Sequence, residues 1–337
     1  MSKSEKSQPS LTENLSSFLN GHVYPERRSA ARSQQGVIDR VVRPILTRVG
    51  EADDRFQSDV IPEGVASDCR FGVTTRDEHH FDLLIPLQGL LSRKTLSISK
   101  NEAGSSPEEC FVFSDSCRSD NPYVKPLPGF GFLATDTKLT FLQDLCGREE
   151  NEHGSLLMPS KVLRRFHCLV EESVDELEGE CFWEREPTVY QVTVKKEGPA
   201  VVLTILMRGN TFVVSLLAAV NIRPWPEGML NGLPSSQWLT MDRVESIKPH
   251  LYLFAIRPKG HEDARKLWCS CYYASENLLS SRADEGSTSQ TCRQQTLDAL
   301  MALVVENSQD FQPVSTRIIR SLFLQQCVQY PADEDWT

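Results

Sequence analysis

Two apolar runs, residues 200–207 and 211–222, flank Arg208, Gly209 and Asn210 and constrain the fold more than any other feature of the chain. The second run has twelve residues and contains no Asp, Glu, Lys or Arg. It is too short to cross a bilayer as a helix, which requires about 20 residues. A glycine-containing turn between two apolar runs is typical of a β-hairpin. The sequence therefore predicts a buried strand at 211–222 that is paired with 200–207 through a tight turn.

Apolar spacing elsewhere predicts strands mainly in the first part of the chain and helices in its last part. Further strands are predicted at residues 81–87, 94–98, 111–113, 130–133 and 188–195. Helices are predicted at residues 11–19, 37–49, 159–177, 295–305 and 314–330, with a polar joint at 25–36 and a kink at Pro44. Loops are predicted at residues 99–107, 114–122 and 280–291. The predicted fold class is α+β, with a disordered start at 1–10, a sheet lobe at 11–235 and a helical lobe at 236–337.

The charge balance limits the classes of partner. The chain has 46 acidic and 36 basic residues, which gives a formal net charge of -10. An excess of negative charge opposes adhesion to a phosphate backbone or to an anionic membrane, so nucleic-acid binding requires a local basic patch. The polar first ten residues resemble neither a signal peptide nor a transit peptide. We therefore expect a cytoplasmic or nuclear protein without membrane insertion, and we expect its ten scattered cysteines to be reduced.

Five short motifs occur in the order that is typical of one protein family. They are Asp-Arg-Phe at 54–56, Phe-Asp-Leu-Leu-Ile-Pro-Leu at 81–87, Pro-Ser-Lys-Val-Leu at 159–163, the run from 216 to Trp-Pro at 225–226, and the stretch from Leu-Phe-Leu-Gln-Gln-Cys at 322–327 to Asp-Trp at 335–336. On these motifs the chain resembles the Mab-21 family, which includes the cyclic GMP-AMP synthase-like receptors. The resemblance implies a nucleotidyltransferase-like lobe with a mixed β-sheet and a long N-terminal spine helix, followed by an α-helical lobe and separated from it by a cleft. Family members commonly continue past the position of Trp336, so this chain is either a short member or lacks the end of its second lobe.

The resemblance also implies where the metal-binding carboxylates of an active member lie. Nucleotidyl transfer uses two divalent cations about 3.5–4 Å apart, which three carboxylates hold. Two of these form a Glu-x-Asp pair on one strand, the third lies on a neighbouring strand, and a Gly-Ser turn upstream holds the phosphates. Here the pair is His80 and Asp82, with Glu78 one step away on the same face of the strand. A neutral imidazole prefers zinc or iron to magnesium, so His80 is a poor substitute for the glutamate.

The other elements of that site are also replaced. Residues 211–219 contain no Asp or Glu, and Ser215 holds the position of the third carboxylate. Ser67 and Asp68 stand where the Gly-Ser turn is expected, and the negative charge of Asp68 repels a triphosphate. The vestigial metal and nucleotide cleft is predicted to consist of Asp82, His80, Glu78, Ser215 and Ser67. We predict no catalytic residue.

Two other patterns suggest metal binding, but each has a favoured structural explanation. His79 and His80 are adjacent but have no set of Cys or His at ligand spacing nearby. Cys269 and Cys271 lack the two-residue spacer of zinc knuckles. A structural histidine pair and a strand with alternating residues explain these patterns better. We therefore predict no metal site.

Basic residues on two predicted helices support a competing hypothesis. They are Arg40, Arg43, Arg48, Lys161, Arg164 and Arg165. In cyclic GMP-AMP synthase-like receptors the corresponding N-terminal helix resembles a nucleic-acid-binding spine, so these residues define a candidate basic face. Charged helices usually present such residues to solvent without a ligand, and that interpretation is favoured here.

Two functions are compatible with these observations. The favoured hypothesis is a non-catalytic Mab-21-like pseudo-nucleotidyltransferase without a cofactor, which binds a protein partner or itself as a scaffold in development or signalling. The alternative is a divergent cyclic GMP-AMP synthase-like receptor, which senses double-stranded nucleic acid and makes a nucleotide second messenger with Mg²⁺ or Mn²⁺. A third carboxylate within metal-bridging distance of Asp82 would favour the alternative.

Overall fold

The computed structural model describes residues 11–58, 74–75, 79–91, 112–114, 130–135, 140–148, 155–185, 188–221, 236–247, 252–256, 265–281, 283, 293–306 and 316–336. Several predictions lie outside these residues. They are the disordered start at 1–10, the strand at 94–98, and most of the loops at 99–107, 114–122 and 280–291.

The chain forms two compact units. The sheet unit contains residues 33–232 and 248–274, and the helical unit contains residues 1–32, 233–247 and 275–337. These ranges differ from the predicted lobes, 11–235 and 236–337, in two places. Two short strands within 252–271 pair with the sheet, and the first helix packs against C-terminal helices. Segments that are distant in sequence thus complete each unit.

Helices begin and end close to several of the predicted positions. In the described part of the chain the α-helices are α1 (Leu11–Phe18), α2 (Tyr24–Val37), α3 (Arg43–Ala52), α4 (Pro159–Gly179), α5 (Phe182–Arg185), α6 (Met241–Ile247), α7 (Tyr273–Ser281), α8 (Arg293–Glu306) and α9 (Thr316–Gln329). The bounds of α4, α8 and α9 agree with the prediction to within two residues. Among the described residues, no helix combines the length and the apolar character that a membrane span needs.

The N-terminal helices are joined by two π-helical turns, Leu19–Val23 and Ile38–Val42. The polar joint predicted at 25–36 is instead helical. Pro25 and Pro44 each occupy the second position of the α-helix that follows a π turn. Proline has no N–H and clashes with the carbonyl four residues earlier, whereas hydrogen bonds in a π turn span five residues. The π turns therefore accommodate the prolines without ending the helical run.

The strands form one sheet. In the described residues they are β1 (Thr74–Thr75), β2 (His80–Pro86), β3 (Val112–Ser114), β4 (Phe130–Thr135), β5 (Cys146–Arg148), β6 (Ser155–Leu157), β7 (Val189–Glu197), β8 (Ala200–Met207), β9 (Asn210–Asn221), β10 (Tyr252–Phe254) and β11 (Trp268–Cys271). Their order is β1-β2-β9-β10-β11-β4-β6-β5, with β8 beside β9, β7 beside β8 and β3 beside β4. β2 and β9 are parallel, whereas the other pairs are antiparallel. The mixed sheet and the α+β class are as predicted.

The hairpin predicted from the two apolar runs is formed by β8 and β9. Between these strands Arg208 and Gly209 have positive φ angles of 52° and 80°. Positive φ at both central residues is typical of a type I′ turn, whose twist matches that of the flanking strands. The β7–β8 hairpin turns at Gly198, with a φ of 58°, and Pro199. Tight turns therefore fix the order of three successive strands.

One side of the sheet, called here the core side, belongs to the main hydrophobic core. Its residues in β2 and β9 include Phe81, Leu83, Ile85, Val214, Leu216 and Val220. Each of these is at most 2% exposed, and they share one cluster with apolar residues of α3 and α4. Burial of each such side chain contributes about 1.5–3 kcal/mol to stability. Because side chains alternate along a strand, His80, Asp82 and Ser215 project from the opposite side, called here the site side.

The helical unit has a smaller core of its own. Leu19 and Val23 of the first π turn pack with Ala302 of α8. Arg293, at the start of α8, is 1% exposed and forms an ion pair with Asp333 at 2.9 Å. Its guanidinium also donates to the carbonyls of residues 331 and 332 at 3.0 and 3.1 Å. A buried cation with several acceptors therefore holds the last described turn against α8.

Candidate functional site

The parallel strand pair β2–β9 forms the centre of the candidate site. Its register sets Asp82 directly opposite Ser215. The backbone N–H of Val213 donates to the carbonyl of His79 at 2.8 Å, which fixes the pair at the start of β2. Asp82 and the serine at the predicted position of the third carboxylate are therefore neighbours in the sheet.

The row across the sheet at Asp82 has mixed chemistry. It contains Asp82 of β2, Ser215 of β9, Val202 of β8 and Lys195 of β7, each opposite the next. Asp82 and Ser215 are partly buried, whereas Lys195 is exposed. Directly opposed residues project to the same side of a sheet, so the row lies on the site side. Its one carboxylate is next to a hydroxyl rather than next to a second acid.

The strands beside Asp82 supply no further carboxylate. Neither β8 nor β9 contains Asp or Glu. Glu197 of β7 pairs with Ala200, and β7 is three strand spacings from β2, or about 14 Å. That separation is several times the distance of about 3.5–4 Å between two catalytic cations. Among the described residues, Asp82 also belongs to no group of three His, Cys, Asp or Glu with ligand atoms within 4.8 Å of one another.

The structure brings together three of the five predicted cleft residues. Asp82, His80 and Ser215 lie on the paired strands, with His80 exposed at the first position of β2. The neighbouring His79 contacts the ring of Phe212, with 5.0 Å between ring centroids. Glu78 and Ser67 lie outside the described residues.

Three of the predicted basic residues are paired with carboxylates. Arg43 pairs with Asp39 at 3.2 Å, and Arg48 pairs with Glu180 at 2.7 Å. Arg165 pairs with Asp53 at 3.2 Å. Because each cation has an acid beside it, the positive charge available to a phosphate backbone at these positions is reduced.

The remaining basic residues are spread along the same helices. Lys161 donates to the carbonyl of Cys146 at 2.6 Å, and Arg40 donates to the hydroxyl of Thr188 at 2.9 Å. Arg164 is exposed. Lys161 lies near the start of α4, whereas Arg48 pairs with Glu180, just after the end of α4. Residues 161 and 180 are about 28 Å apart at about 1.5 Å per residue. The six residues therefore do not concentrate at one point.

The Asp-Arg-Phe motif belongs to an ion-pair network that joins α3 to α4. The side chain of Asp53 is 7% exposed and accepts from Arg55 Nη2 at 2.7 Å and from Arg165 Nε at 3.2 Å. Arg55 also donates to Asp144 at 2.7 Å. Burial alone raises the pKa of Asp53, but the hydrogen bonds and charges of Arg55 and Arg165 outweigh burial and hold that pKa below its ordinary value of 3.8. The sequence identified this motif without revealing its electrostatic role.

The sequence analysis missed a cluster of candidate ligands on α4. His167, Cys168 and Glu171 each offer one ligand atom, and these atoms lie within 4.8 Å of one another. Their spacing of one and four residues places the three side chains on adjoining parts of a helix surface. That spacing is visible in the sequence, but one His, one Cys and one Glu do not form a recognised set of Cys and His at metal-ligand spacing.

Comparison with known proteins assigns the family. The model of the Mab-21 protein nucleotidyltransferase domain matches residues 73–280, more than half of the chain and including Asp82 and Ser215. Cyclic GMP-AMP synthase of Sus scrofa is 24% identical over 198 residues. That match covers 54% of this chain but only 38% of the length of the relative. The chain therefore belongs to the Mab-21 family and contains its nucleotidyltransferase domain.

Proposed function

We propose that this protein is a non-catalytic pseudo-nucleotidyltransferase of the Mab-21 family, which acts as a scaffold by binding a protein partner or a second copy of itself. The observation that carries the proposal is the register of β2 and β9, which sets Ser215 opposite Asp82. The family resemblance expects a carboxylate at the position of Ser215. A serine hydroxyl is uncharged and therefore does not offset the charge of a divalent cation.

Two bound cations must be compensated by negative charge from the protein and the substrate. Two divalent cations about 4 Å apart repel each other by about 16 kcal/mol at an effective dielectric constant of about 20. The triphosphate offsets part of this repulsion, and three protein carboxylates offset much of the rest in an active enzyme. Strands β2 and β9 contain one acid, Asp82. The pair therefore offers one negative charge where three carboxylates would be needed to offset the repulsion between the cations. His80 adds no negative charge.

Exposed apolar residues of the helical unit support a binding role. Among the described residues, those between 41% and 53% exposed include Leu300, Leu303, Ile318, Leu322 and Tyr330. Leu300 and Leu303 are three residues apart on α8, and Ile318 and Leu322 are four residues apart on α9, so each helix has apolar side chains on one exposed face. Repeated apolar groups on an exposed face are typical of surfaces that contact other proteins.

The catalytic part of the proposal is tested by a nucleotidyl-transfer assay of the full chain. ATP and GTP are supplied with Mg²⁺ or Mn²⁺, in the presence and absence of double-stranded DNA or RNA. We expect neither a linear nor a cyclic dinucleotide, while the cyclic GMP-AMP synthase of Sus scrofa serves as the positive control. A product that disappears in Asp82→Asn would show that the protein is an enzyme and would refute the proposal.

The binding part is tested by measuring the molar mass of the chain by light scattering over a range of concentrations. If the protein self-associates through the exposed apolar faces, Leu322→Glu weakens the association. Gln191→Glu is the control, because Gln191 is an exposed residue of β7 in the sheet unit. A chain that stays monomeric restricts the proposal to a different protein as partner.

The second candidate function is a divergent cyclic GMP-AMP synthase-like receptor activated by double-stranded nucleic acid. The sequence similarity to cyclic GMP-AMP synthase of Sus scrofa favours it. This function requires a metal ligand from outside the described residues, and Glu78 is the candidate because it precedes Asp82 by four residues. Loss of a measured activity in Glu78→Gln would support this function over the scaffold.

A further inference from the structure

A groove between α4 and the edge strand β7 has strongly acidic chemistry. Its volume is about 550 Å³. The residues of α4 that line it include Cys168, Glu171, Glu172, Asp175 and Glu178, and β7 contributes residues 192–194. Four carboxylates beside a thiol make the groove attractive to cations. Apolar residues of α4 pack in the cluster on the core side, so this groove is separate from the row that contains Asp82.

A mixed set of metal ligands is formed by Cys168 and Glu171, which line the groove, and by the adjoining His167. His167 offers an imidazole nitrogen, Cys168 offers a sulfur and Glu171 offers carboxylate oxygens, and one atom from each lies within 4.8 Å of the others. Imidazole and thiolate ligands favour zinc and related transition metals, whereas magnesium and calcium prefer sites made of oxygen alone. The chemistry of the set therefore discriminates between metals.

The distance between two of these ligand atoms is close to that in a tetrahedral zinc site. Nδ1 of His167 lies 3.2 Å from Oε2 of Glu171. In a tetrahedral site with zinc–ligand bonds of about 2.1 Å, two ligand atoms are about 3.4 Å apart. Small side-chain rotations, chiefly of Glu171, are therefore sufficient to place the three ligand atoms around one ion. Glu171 has 48% of its side chain exposed and is free to make such a rotation.

The ordinary explanation for His167 and Glu171 is an ion pair between residues four apart on a helix, which contributes little to stability. Two observations go beyond that explanation. The thiol of Cys168 lies beside the pair, and an ion pair does not require a thiol. Nε2 of His167 is buried and has no hydrogen-bond partner among the described residues, so no described hydrogen bond at that atom fixes the tautomer, and Nδ1 can be the unprotonated nitrogen that binds a metal.

We propose that His167, Cys168 and Glu171 form a binding site for one divalent transition-metal ion of the zinc class. Three protein ligands leave a fourth tetrahedral position for water. Binding replaces the thiol proton of Cys168 with the metal and releases that proton to solvent. The site is on α4 and does not use the residues of the vestigial cleft, so its failure would leave the proposed scaffold function intact.

The test is a calorimetric titration of the untagged, reduced and metal-stripped full chain with Zn²⁺. We expect one ion per chain at this site and no comparable binding of Mg²⁺. Cys168→Ser and Glu171→Gln should each weaken Zn²⁺ binding at least tenfold. Glu171→Gln changes an exposed side chain, so it keeps the test valid if Cys168→Ser fails to fold.

Two control variants separate this site from non-specific binding. Cys181→Ser removes an exposed thiol, and Glu176→Gln neutralises an exposed carboxylate of α4 that does not line the groove. Both should bind Zn²⁺ as tightly as the native chain. Equal weakening in the controls, or no binding by the native chain, would overturn the proposal.

Substitution of Co²⁺ for Zn²⁺ gives a second readout that reports the ligands themselves. Cobalt bound to a thiolate shows a charge-transfer absorption band in the near ultraviolet. That band should appear with the native chain and with Cys181→Ser, and it should be lost with Cys168→Ser. A band that survives in Cys168→Ser would place the ion on another cysteine and would disprove the assignment.

Discussion

The two sides of the β2–β9 pair differ in what they must do for the fold. On the core side Phe81, Leu83 and Leu216 are at most 1% exposed and share one cluster with the helices α3 and α4. On the site side the same strands present Asp82 and Ser215, which are only partly buried. Substitutions on the core side disturb packing throughout the sheet unit. Substitutions at Asp82 and Ser215 should disturb packing less, although other site-side residues, Leu84 and Ala219, belong to a small buried cluster of their own.

This difference shows how a chain of this family could keep the nucleotidyltransferase fold if its metal ligands were replaced, as the proposed function requires. The family model matches residues 73–280, a range in which the apolar residues of the core side recur along β2, β8 and β9. The main hydrophobic core therefore lies on one side of the sheet, whereas the positions that the family resemblance assigns to metal ligands lie on the other. The following measurements test the two sides separately.

The largest expected effect is loss of packing on the core side. Leu216→Ala should lower the free energy of unfolding by about 4 kcal/mol, because Leu216 is fully buried and the substitution leaves a cavity. Ser215→Ala, at the adjacent position on the site side, should change that free energy by less than about 0.5 kcal/mol. Denaturant titration of both variants measures the difference. Similar losses for both would mean that Ser215 has a structural role.

The next effect concerns the ion pairs that hold the helices of the core side. Asp53→Asn should destabilise the protein by about 2 kcal/mol, because it removes the charged acceptor that Arg55 and Arg165 share, while Arg55 keeps its bond to Asp144. The pKa of Asp53 is lowered in the folded state, so its stabilising contribution is fully present above the ordinary pKa of 3.8 and is lost as the pH falls through the lower folded pKa.

The pH dependence of the melting temperature tests this assignment. Between pH 5 and pH 2 the native chain should lose stability more steeply than Asp53→Asn, which lacks the titrating group. Asp54→Asn is the control, because Asp54 is exposed and adjacent to Asp53. Parallel curves for the native chain and Asp53→Asn would show that Asp53 does not contribute to acid unfolding.

A smaller effect is expected from a carboxylate restored on the site side. Ser215→Asp sets a like charge directly opposite Asp82 and should destabilise the metal-free protein by about 1 kcal/mol. Mn²⁺ should reverse that loss, and it should have no effect on the melting temperature of Ser215→Asn or of the native chain. A native chain that Mn²⁺ stabilises as strongly as Ser215→Asp would mean that the cleft still holds metal.

The smallest effect is a difference in thiol reactivity. Burial raises the pKa of Cys146 to about 11. At pH 8 only about 0.1% of this thiol is then ionised, and the thiolate is the reactive form. Cys181 is exposed, so iodoacetamide should modify Cys181 long before Cys146. Peptide mass spectrometry gives both rates, and rapid modification of Cys146 would show that this part of the core opens readily.

Long periodic elements could be predicted from the sequence because their own residues determine them. The apolar stripe of α4 and the uncharged run of β9 each contain enough repeats to identify the element and its ends. Strands of three residues, such as β10, have no periodicity to detect. Their place in the sheet depends on pairing with β9 and β11. The assignment of residues 248–274 to the sheet unit therefore required the structure.

For the candidate site, the sequence predicted which residues share one strand face but not how neighbouring strands and helices place them. Spacing alone put His80 and Asp82 on one side of a strand, but the backbone register was needed to place Ser215 opposite Asp82. The basic residues were predicted to face solvent, with a ligand-binding face as the competing hypothesis, and the sequence did not reveal that Arg48 pairs with Glu180, a residue 132 positions away. Charge compensation between distant segments depends on how helices pack, and helical periodicity does not encode it.

The π turn Ile38–Val42 also bears on how this chain is aligned with its relatives. One residue inserted into a plain α-helix rotates every following side chain by about 100°. A π turn absorbs such an insertion locally, because the extra residue lengthens a single hydrogen-bonded loop. The apolar stripe at Ile45 and Val49 thus keeps its orientation toward the core. A relative that is one residue shorter at this point should present the same stripe from an uninterrupted α-helix, and a correct alignment should place a single-residue gap there.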